Sequence, residues 1–106
     1  MRTKQSHVYI LANKSHTVIY IGVTSNLSKR LSQHINNVYE KSFTCRYNCK
    51  TLVYFEAFNS IVEAIKREKQ LKGWRREKKI NLIKSMNPTM QSLNHLVASP
   101  ESAPGA

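Results

Sequence analysis

The chain has 106 residues, a formal net charge of +11 from 17 Lys and Arg against 6 Asp and Glu, and a hydrophobic content of 41%. That is enough for one domain with a modest core. No apolar run reaches the ~18 residues that span a bilayer, and the basic excess favours phosphate polymers or anionic membranes as partners.

The start, Met1-Arg2-Thr3-Lys4-Gln5-Ser6-His7, has no apolar signal region, which predicts a cytoplasmic protein. Residues 1–6 read as a lead-in. His7–Ala12 and Thr17–Val23 are rich in β-branched and aromatic residues, and the four residues Asn13-Lys14-Ser15-His16 between them can turn, which predicts a hairpin. Pairing Ala12 with Thr17 puts Leu11 opposite Val18, Ile10 opposite Ile19 and Tyr9 opposite Tyr20. The two tyrosines then share one face, and Val8, Ile10, Ile19 and Ile21 form the other.

Thr24-Ser25-Asn26 offers helix N-caps to the segment Leu27–Asn37, whose apolar stripe is Leu27, Leu31 and Ile35. Arg30 borders that stripe, and His34 stands with it at i and i+4. Asn36-Asn37 ends the helix, and residues 38–50 read as irregular. Cys45 and Cys49 form a lone C-x3-C pair, which predicts reduced thiols and no structural zinc. Thr51–Ala57 reads as a third strand. Ser60 and Glu63 have capping-box spacing at the start of a helix that runs to Lys72 and breaks at Gly73. A further helix spans Trp74–Lys84 and stops at Asn87-Pro88.

The order β-β-α-β-α-α predicts an α+β fold, a small three-stranded, mostly antiparallel sheet flanked by helices, over residues 7–90. Residues 91–106 read as a tail, disordered from about residue 99, where Ser, Pro, Gly and Ala dominate.

Glu68 is the informative residue of the second helix. At about 100° per residue, Ile61, Ala64, Ile65 and Leu71 fall on one side with Glu68 near its middle. An inward carboxylate costs several kcal/mol unless it shifts its pKa, pairs with a cation or binds a metal. Lys72 and Arg30 are the candidate cations. Nine basic residues, Lys66, Arg67, Lys69, Lys72, Arg75, Arg76, Lys78, Lys79 and Lys84, lie between positions 66 and 84, opposed by Glu68 and Glu77. A run this dense predicts salt-sensitive phosphate binding with little sequence information. Arg2, Lys4, Lys29 and Arg46 extend it. Trp74 either packs in the core or stacks on a base.

Val8-Tyr9-Ile10 followed by Tyr20-Ile21-Gly22 resembles the signature of the GIY-YIG endonuclease superfamily. Asn26–His34 is similar to that family's Arg-bearing helix. Arg67–Arg76 is similar to its Glu-bearing segment in the small, single-domain, excision-repair-nuclease-like bacterial branch. The likeness covers residues 7 to 90. Two positions depart from it: Val8 stands where the family has Gly, and the hairpin turn lacks a glycine.

The resemblance implies metal-dependent endonucleolytic hydrolysis of DNA phosphodiesters, in repair or recombination. Glu68 would hold one Mg2+ or Mn2+, with water completing an oxygen shell. Arg30 would stabilise the non-bridging oxygens. Tyr9 would be the general base through its phenolate, which needs a nearby cation because a free tyrosine has a pKa of about 10. Tyr20 would relay that proton or position the water. His34 either orients these groups or is a core-edge histidine. Asn81 is better spaced than Asn87 for an orienting asparagine. The candidate nucleic-acid contacts are Lys29, Arg30, Lys66, Lys69, Lys72, Arg75, Arg76 and Lys79. A homodimer would let a lone domain cut both strands. Two other classes fit the charge: a non-catalytic basic DNA- or RNA-binding module, and an adaptor that docks an acidic protein.

Overall fold

Strand β1 (Ser6–Ala12) is the spine of the molecule. In the computed structural model, which describes residues 5–36 and 43–97, it lies between β2 (Ile19–Thr24) and β3 (Thr51–Phe58) in an antiparallel sheet of order β2-β1-β3. Helices cover both faces, so residues 8–12 of β1 are buried throughout, and its apolar run is continuous where a half-exposed strand would alternate. Val8, Ile10 and Ala12 point to one core, shared with Ala64 and Leu71 of α3 (Ile61–Lys72) and Ile83 of α4 (Arg76–Met86). Tyr9 and Leu11 point to a second core, with Leu27 and Leu31 of α1 (Leu27–Ile35), Cys49, Leu52 and Leu93. A fully buried Leu or Ile contributes roughly 1.5–3 kcal/mol, so this double burial makes β1 the strand least able to leave.

The hairpin register differs from the one expected. Tyr9 lies opposite Gly22, Leu11 opposite Tyr20 and Ala12 opposite Ile19. The loop is therefore longer, because the Asn13 carboxamide oxygen accepts from the Thr17 and Val18 amides and takes both residues out of the strand. His16, at φ 59, takes the left-handed turn conformation that a glycine would hold at less cost. The slip is by two residues, the side-chain period of a strand. Both tyrosines therefore keep the shared face assigned to them, as diagonal rather than direct neighbours.

Two further corrections concern α1 and the strand after it. Leu27, Leu31 and His34 form the buried stripe of α1, while Ile35 is exposed. The i, i+4, i+7 spacing stays on one face better than two successive steps of four, which drift around the helix. A short helix, α2 (Phe43–Arg46), occupies part of the segment read as irregular. Asn37, residues 38–42, Arg2, Lys4 and residues 99–106 lie outside the described residues.

On β3 the register shifts between the partners of Ile10 and Leu11, leaving Val53 as an extra residue. The bulge lets Val53 and Tyr54 both enter the first core. Buried Asn87 donates through Nδ2 to the Val53 carbonyl at 3.0 Å and to the Gln91 carbonyl at 2.8 Å. It is thus a strut for the bulge as well as the C-cap of α4. The chain continues onto the second core past residue 90. The Leu93 amide donates to the Leu52 carbonyl at 2.7 Å, and Asn94, which opens the short helix α5 (Asn94–Val97), accepts from the Leu52 amide at 2.8 Å. Where a tail is expected from residue 91, residues 91–97 thus continue the β3 side of the fold.

α3 begins where Ser60 predicts. Its hydroxyl caps the Val62 amide, while Glu63 turns to Lys66 at 3.7 Å. Ile61 is exposed, so the buried face of α3 is carried by Ala64 and Leu71. Among the described residues no helix is long and apolar enough to cross a membrane.

Candidate active site

β2 is an edge strand, and at Gly22 it offers no side chain to the ring of Tyr9 that lies across it. A Cβ built there would sit 2.5 Å from both Tyr9 Cζ and Oη, and 2.9 Å from Tyr20 Cε2. The glycine thus supplies space. Through it the buried Tyr9 ring extends to the sheet edge, where elements from both helical layers meet.

Three rings gather there. Tyr9, Tyr20 and His34 have mutual centroid distances of 6.2, 5.8 and 5.8 Å. Tyr9 Oη is 3.1 Å from His34 Nε2, and Thr44 Oγ1 of α2 is 2.8 Å from His34 Nδ1. Burial, and then the charge of Arg30, lower the His34 pKa, so its imidazole is neutral at neutral pH. Burial is also the largest influence on Tyr9 and raises its phenol well above the ordinary tyrosine range. The Tyr20 phenol and the Glu68 carboxylate push the same way, and Arg30 opposes them. The phenolate expected of Tyr9 is therefore disfavoured by this chain's own electrostatics. Tyr20, Arg30 and Glu68 thus all lie within electrostatic reach of one phenol.

Glu68 approaches from α3. Its side chain is only 15% exposed and pairs with Lys72 Nζ at 3.0 Å. Of the two candidate cations, Lys72 holds it. Among the described residues no group of three or more His, Cys, Asp or Glu forms a ready metal cage. A single half-buried carboxylate suits a hard divalent cation that keeps several waters and takes further oxygens from a phosphate substrate.

The remaining candidates divide. Lys72 and Lys79 line a cleft of about 330 Å³ with Ile19, Tyr20, Ile21 and Phe43, next to the rings. Lys29, Lys66, Lys69 and Arg75 are exposed, and Arg76 donates to the His16 carbonyl at 2.8 Å. Arg67 turns inward, bonding both Glu56 oxygens at 3.0 Å. Trp74 packs on the first core, with Arg67 at 5.3 Å and Lys78 at 4.1 Å over its ring, so cations already cover it. Asn81 is exposed on α4, outside the interactions that link the tyrosines, His34, Arg30 and Glu68. Gly22 and Thr44 were not singled out from the sequence. The glycine stood in the second tripeptide, but its use as a space is visible only with the Tyr9 ring in place.

The family model of the GIY-YIG catalytic domain matches residues 5–81. The chain belongs to the GIY-YIG family. A UPF0213 protein of Syntrophus aciditrophicus is 37% identical over 84 residues, 79% of this chain and 94% of that one. UPF0213 protein CPE1444 of Clostridium perfringens is 41% identical over 80 residues, 76% of this chain and 84% of that one. The solution NMR structure of the UPF0213 protein BH0048 from Bacillus halodurans superposes with a TM-score of 0.53 at 27% identity, covering 90% of this chain and 99% of that one. The α+β architecture, a three-stranded antiparallel sheet between helices, is thus the GIY-YIG-like fold of that UPF0213 structure.

The buried phenols give this GIY-YIG domain a testable alkaline signature. Tyr54, buried and bonded to Glu56, is pushed up to about 12, and Tyr9 lies higher still. Both folded values exceed the unfolded one, so their contribution is intact below about pH 10. Above that the unfolded chain sheds protons that the folded chain keeps, and stability falls as pH rises, each group contributing a slope of up to about 1.4 kcal/mol per pH unit. Denaturant titrations between neutral and strongly alkaline pH should show this fall, and Tyr9→Phe should remove about half of it. An unchanged slope in the variant would contradict the burial argument.

Proposed function

We propose that the protein is a divalent-metal-dependent endonuclease that hydrolyses phosphodiester bonds in nucleic acid, most simply nicking DNA. The observation that supports this reading is the contact of Tyr9 with Tyr20 and His34 beside β2, within electrostatic reach of Arg30 and Glu68, in a GIY-YIG-family domain.

The tautomer of His34 that donates from Nδ1 to Thr44 leaves Nε2 as an acceptor for the Tyr9 phenol. As water attacks phosphorus, its proton passes to Tyr9 Oη while the phenolic proton moves to His34 Nε2. Tyr9 thereby acts as general base without ever becoming a free phenolate, which resolves its unfavourable pKa. Tyr20 flanks this pair and positions the water. Arg30 presents its planar fork to the non-bridging oxygens, where negative charge grows as the phosphorus becomes five-coordinate. Glu68 is the residue that would hold Mg2+ or Mn2+, and such an ion would supply charge stabilisation at the leaving oxygen. Lys72 would release Glu68 and turn to a backbone phosphate. One set of these groups cuts one strand, so the expected first product is a nick.

Lys72 pairing with Glu68 is the one observation that favours a purely binding domain, since it neutralises the carboxylate. Substituting Glu68→Ala separates the two readings. The change keeps a good helix former in α3. It should reduce Mg2+- or Mn2+-dependent nicking of supercoiled DNA by about 10²-fold or more, the scale for removing one preorganised charge-stabilising group. Circular dichroism should be unaltered. Equal nicking by wild type and variant would remove Glu68 from the reaction. No nicking by either, with salt-sensitive DNA binding intact, would favour the binding domain.

A further inference from the structure

A row of aromatic rings leads out of the site and is not used by the chemistry above. Tyr20 meets Phe43 at a centroid distance of 6.0 Å with the planes tilted by 31°, and Phe43 meets Tyr47 at 4.7 Å. The Arg46 guanidinium carbon lies 5.8 Å from the centre of the Tyr47 ring. Phe43 and Tyr47 are 45% and 44% exposed, and because their rings are in contact they present one continuous aromatic surface rather than scattered apolar residues. Phe43 also walls the cleft that Lys72 and Lys79 line beside Tyr20. The row therefore starts at a candidate catalytic tyrosine, runs over the surface of α2 and is bordered by three cations.

A solvated packing cluster would not need this arrangement. α2 is anchored from its other side by buried Thr44, whose hydroxyl meets His34. Phe43 and Tyr47 are thus held at the rim of the site by residues that do not require aromatic partners. Nor does duplex DNA suit such a row, because its bases are stacked within the helix and show side chains only their edges. Unpaired bases expose their faces. Surfaces that bind single strands combine aromatic faces with a cationic track for the backbone, and neither part demands a particular sequence.

We infer that Phe43 and Tyr47, continuing from Tyr20 and flanked by Arg46, Lys72 and Lys79, form a stacking platform for unpaired nucleotides next to the scissile phosphate. The site thereby prefers single-stranded or branched nucleic acid over continuous duplex. The inference rests on the nuclease reading only for the position of the scissile bond. The platform itself is a binding surface and is tested as one.

The full-length protein is titrated, without divalent metal, into fluorescein-labelled oligothymidylate, a flap with an unpaired arm, and a duplex of the same length, with fluorescence anisotropy as the readout. Wild type should bind the unpaired strand and the flap more tightly than the duplex. Phe43→Ala and Tyr47→Ala should each weaken unpaired-strand binding by about tenfold. Their loss on duplex should be several-fold smaller, since that binding is set by phosphate contacts. Phe43→Leu keeps apolar bulk without a π face and should behave like Phe43→Ala, whereas Phe43→Trp should restore binding. An oligonucleotide carrying 2-aminopurine should show quenching with wild type that is lost with Phe43→Leu. Equal losses on strand and duplex, or wild-type affinity in Phe43→Leu, would overturn the platform. Nicking of duplex with no preference for unpaired strands would leave the nuclease reading standing and end this one. Unpaired-strand binding that depends on the rings, with no cleavage of any substrate, would do the reverse.

Discussion

Tyr9→Phe is expected to lower phosphodiester cleavage by about 10²–10⁴-fold, the range for losing a positioned general base, while DNA affinity is retained. The phenol contacts His34 Nε2 rather than any basic residue of the proposed phosphate track. Losing one hydroxyl removes both the acceptor for the water proton and the route to His34. The variant leaves Nε2 of a buried imidazole without its partner, at a cost of roughly 1–3 kcal/mol. Stability must therefore be measured beside the rate, at a temperature where both proteins are folded. The pH profile adds a readout that simple destabilisation does not imitate. His34 accepts a proton only when neutral, and its folded pKa is depressed by burial and Arg30. Wild-type cleavage should therefore hold as pH falls past about 6.5, the ordinary imidazole value, and decline only below it. Stability shifts in the same direction. The unfolded chain takes up the His34 proton first, so the contribution of neutral His34 is present above about pH 6.5 and is lost as pH falls toward the folded value. A Tyr9→Phe protein that cuts at the wild-type rate would remove the phenol from the mechanism.

Gly22→Ala should be the most damaging single methyl group in the protein. Its Cβ would lie 2.5 Å from Tyr9 Cζ and Oη, within any van der Waals contact. In an exposed pair the ring would swing aside. Here Tyr9 is 2% exposed, with Leu11, Leu27 and Leu31 in the same core and His34 holding its hydroxyl. Either the ring moves and the bond to His34 is broken, or β2 moves away from β1. Overpacking of this kind costs about 1–3 kcal/mol, which for a domain of about this size is a fall in Tm of roughly 5–20 °C. Cleavage should drop with the ring displaced even well below the variant's Tm. The check is a thermal melt together with a nicking assay on the same preparation. A variant with wild-type melting and wild-type rate would show that the Tyr9 ring has more freedom than its packing indicates.

These two predictions turn on a residue that the sequence singled out and on one that it did not, and the difference is instructive. Tyr9 and Tyr20 share a face in either hairpin register, because faces repeat every second residue and the true register is displaced by two. The displacement itself was hidden in the Asn13 side chain. An asparagine can turn a chain in several ways, and only the folded loop shows it capturing the Thr17 and Val18 amides. His34 was legible as a neighbour of Arg30 on α1, yet the choice between core and site was not. It is both, since the stripe that buries it also delivers it to Tyr9. Asn81 illustrates the opposite case. Spacing recommended it, but the structure leaves it exposed on α4 and gives the buried asparagine role to Asn87, which supports a β3 bulge that no local pattern announces.

The sequence by itself determined the α+β order of elements, the basic character, the GIY-YIG signature and the inward position of Glu68. The order, the charge and the face of Glu68 follow from periodicity and composition along the chain, and the signature is a resemblance carried by short motifs on two strands. The tertiary structure alone decided that burial keeps the Tyr9 phenol protonated, that Gly22 is a space for that ring, and that Phe43 and Tyr47 extend the tyrosines into an exposed aromatic row. The physical reason is that these depend on desolvation and on side chains arriving from separate elements. Both arise only once the two helical layers have closed on the sheet.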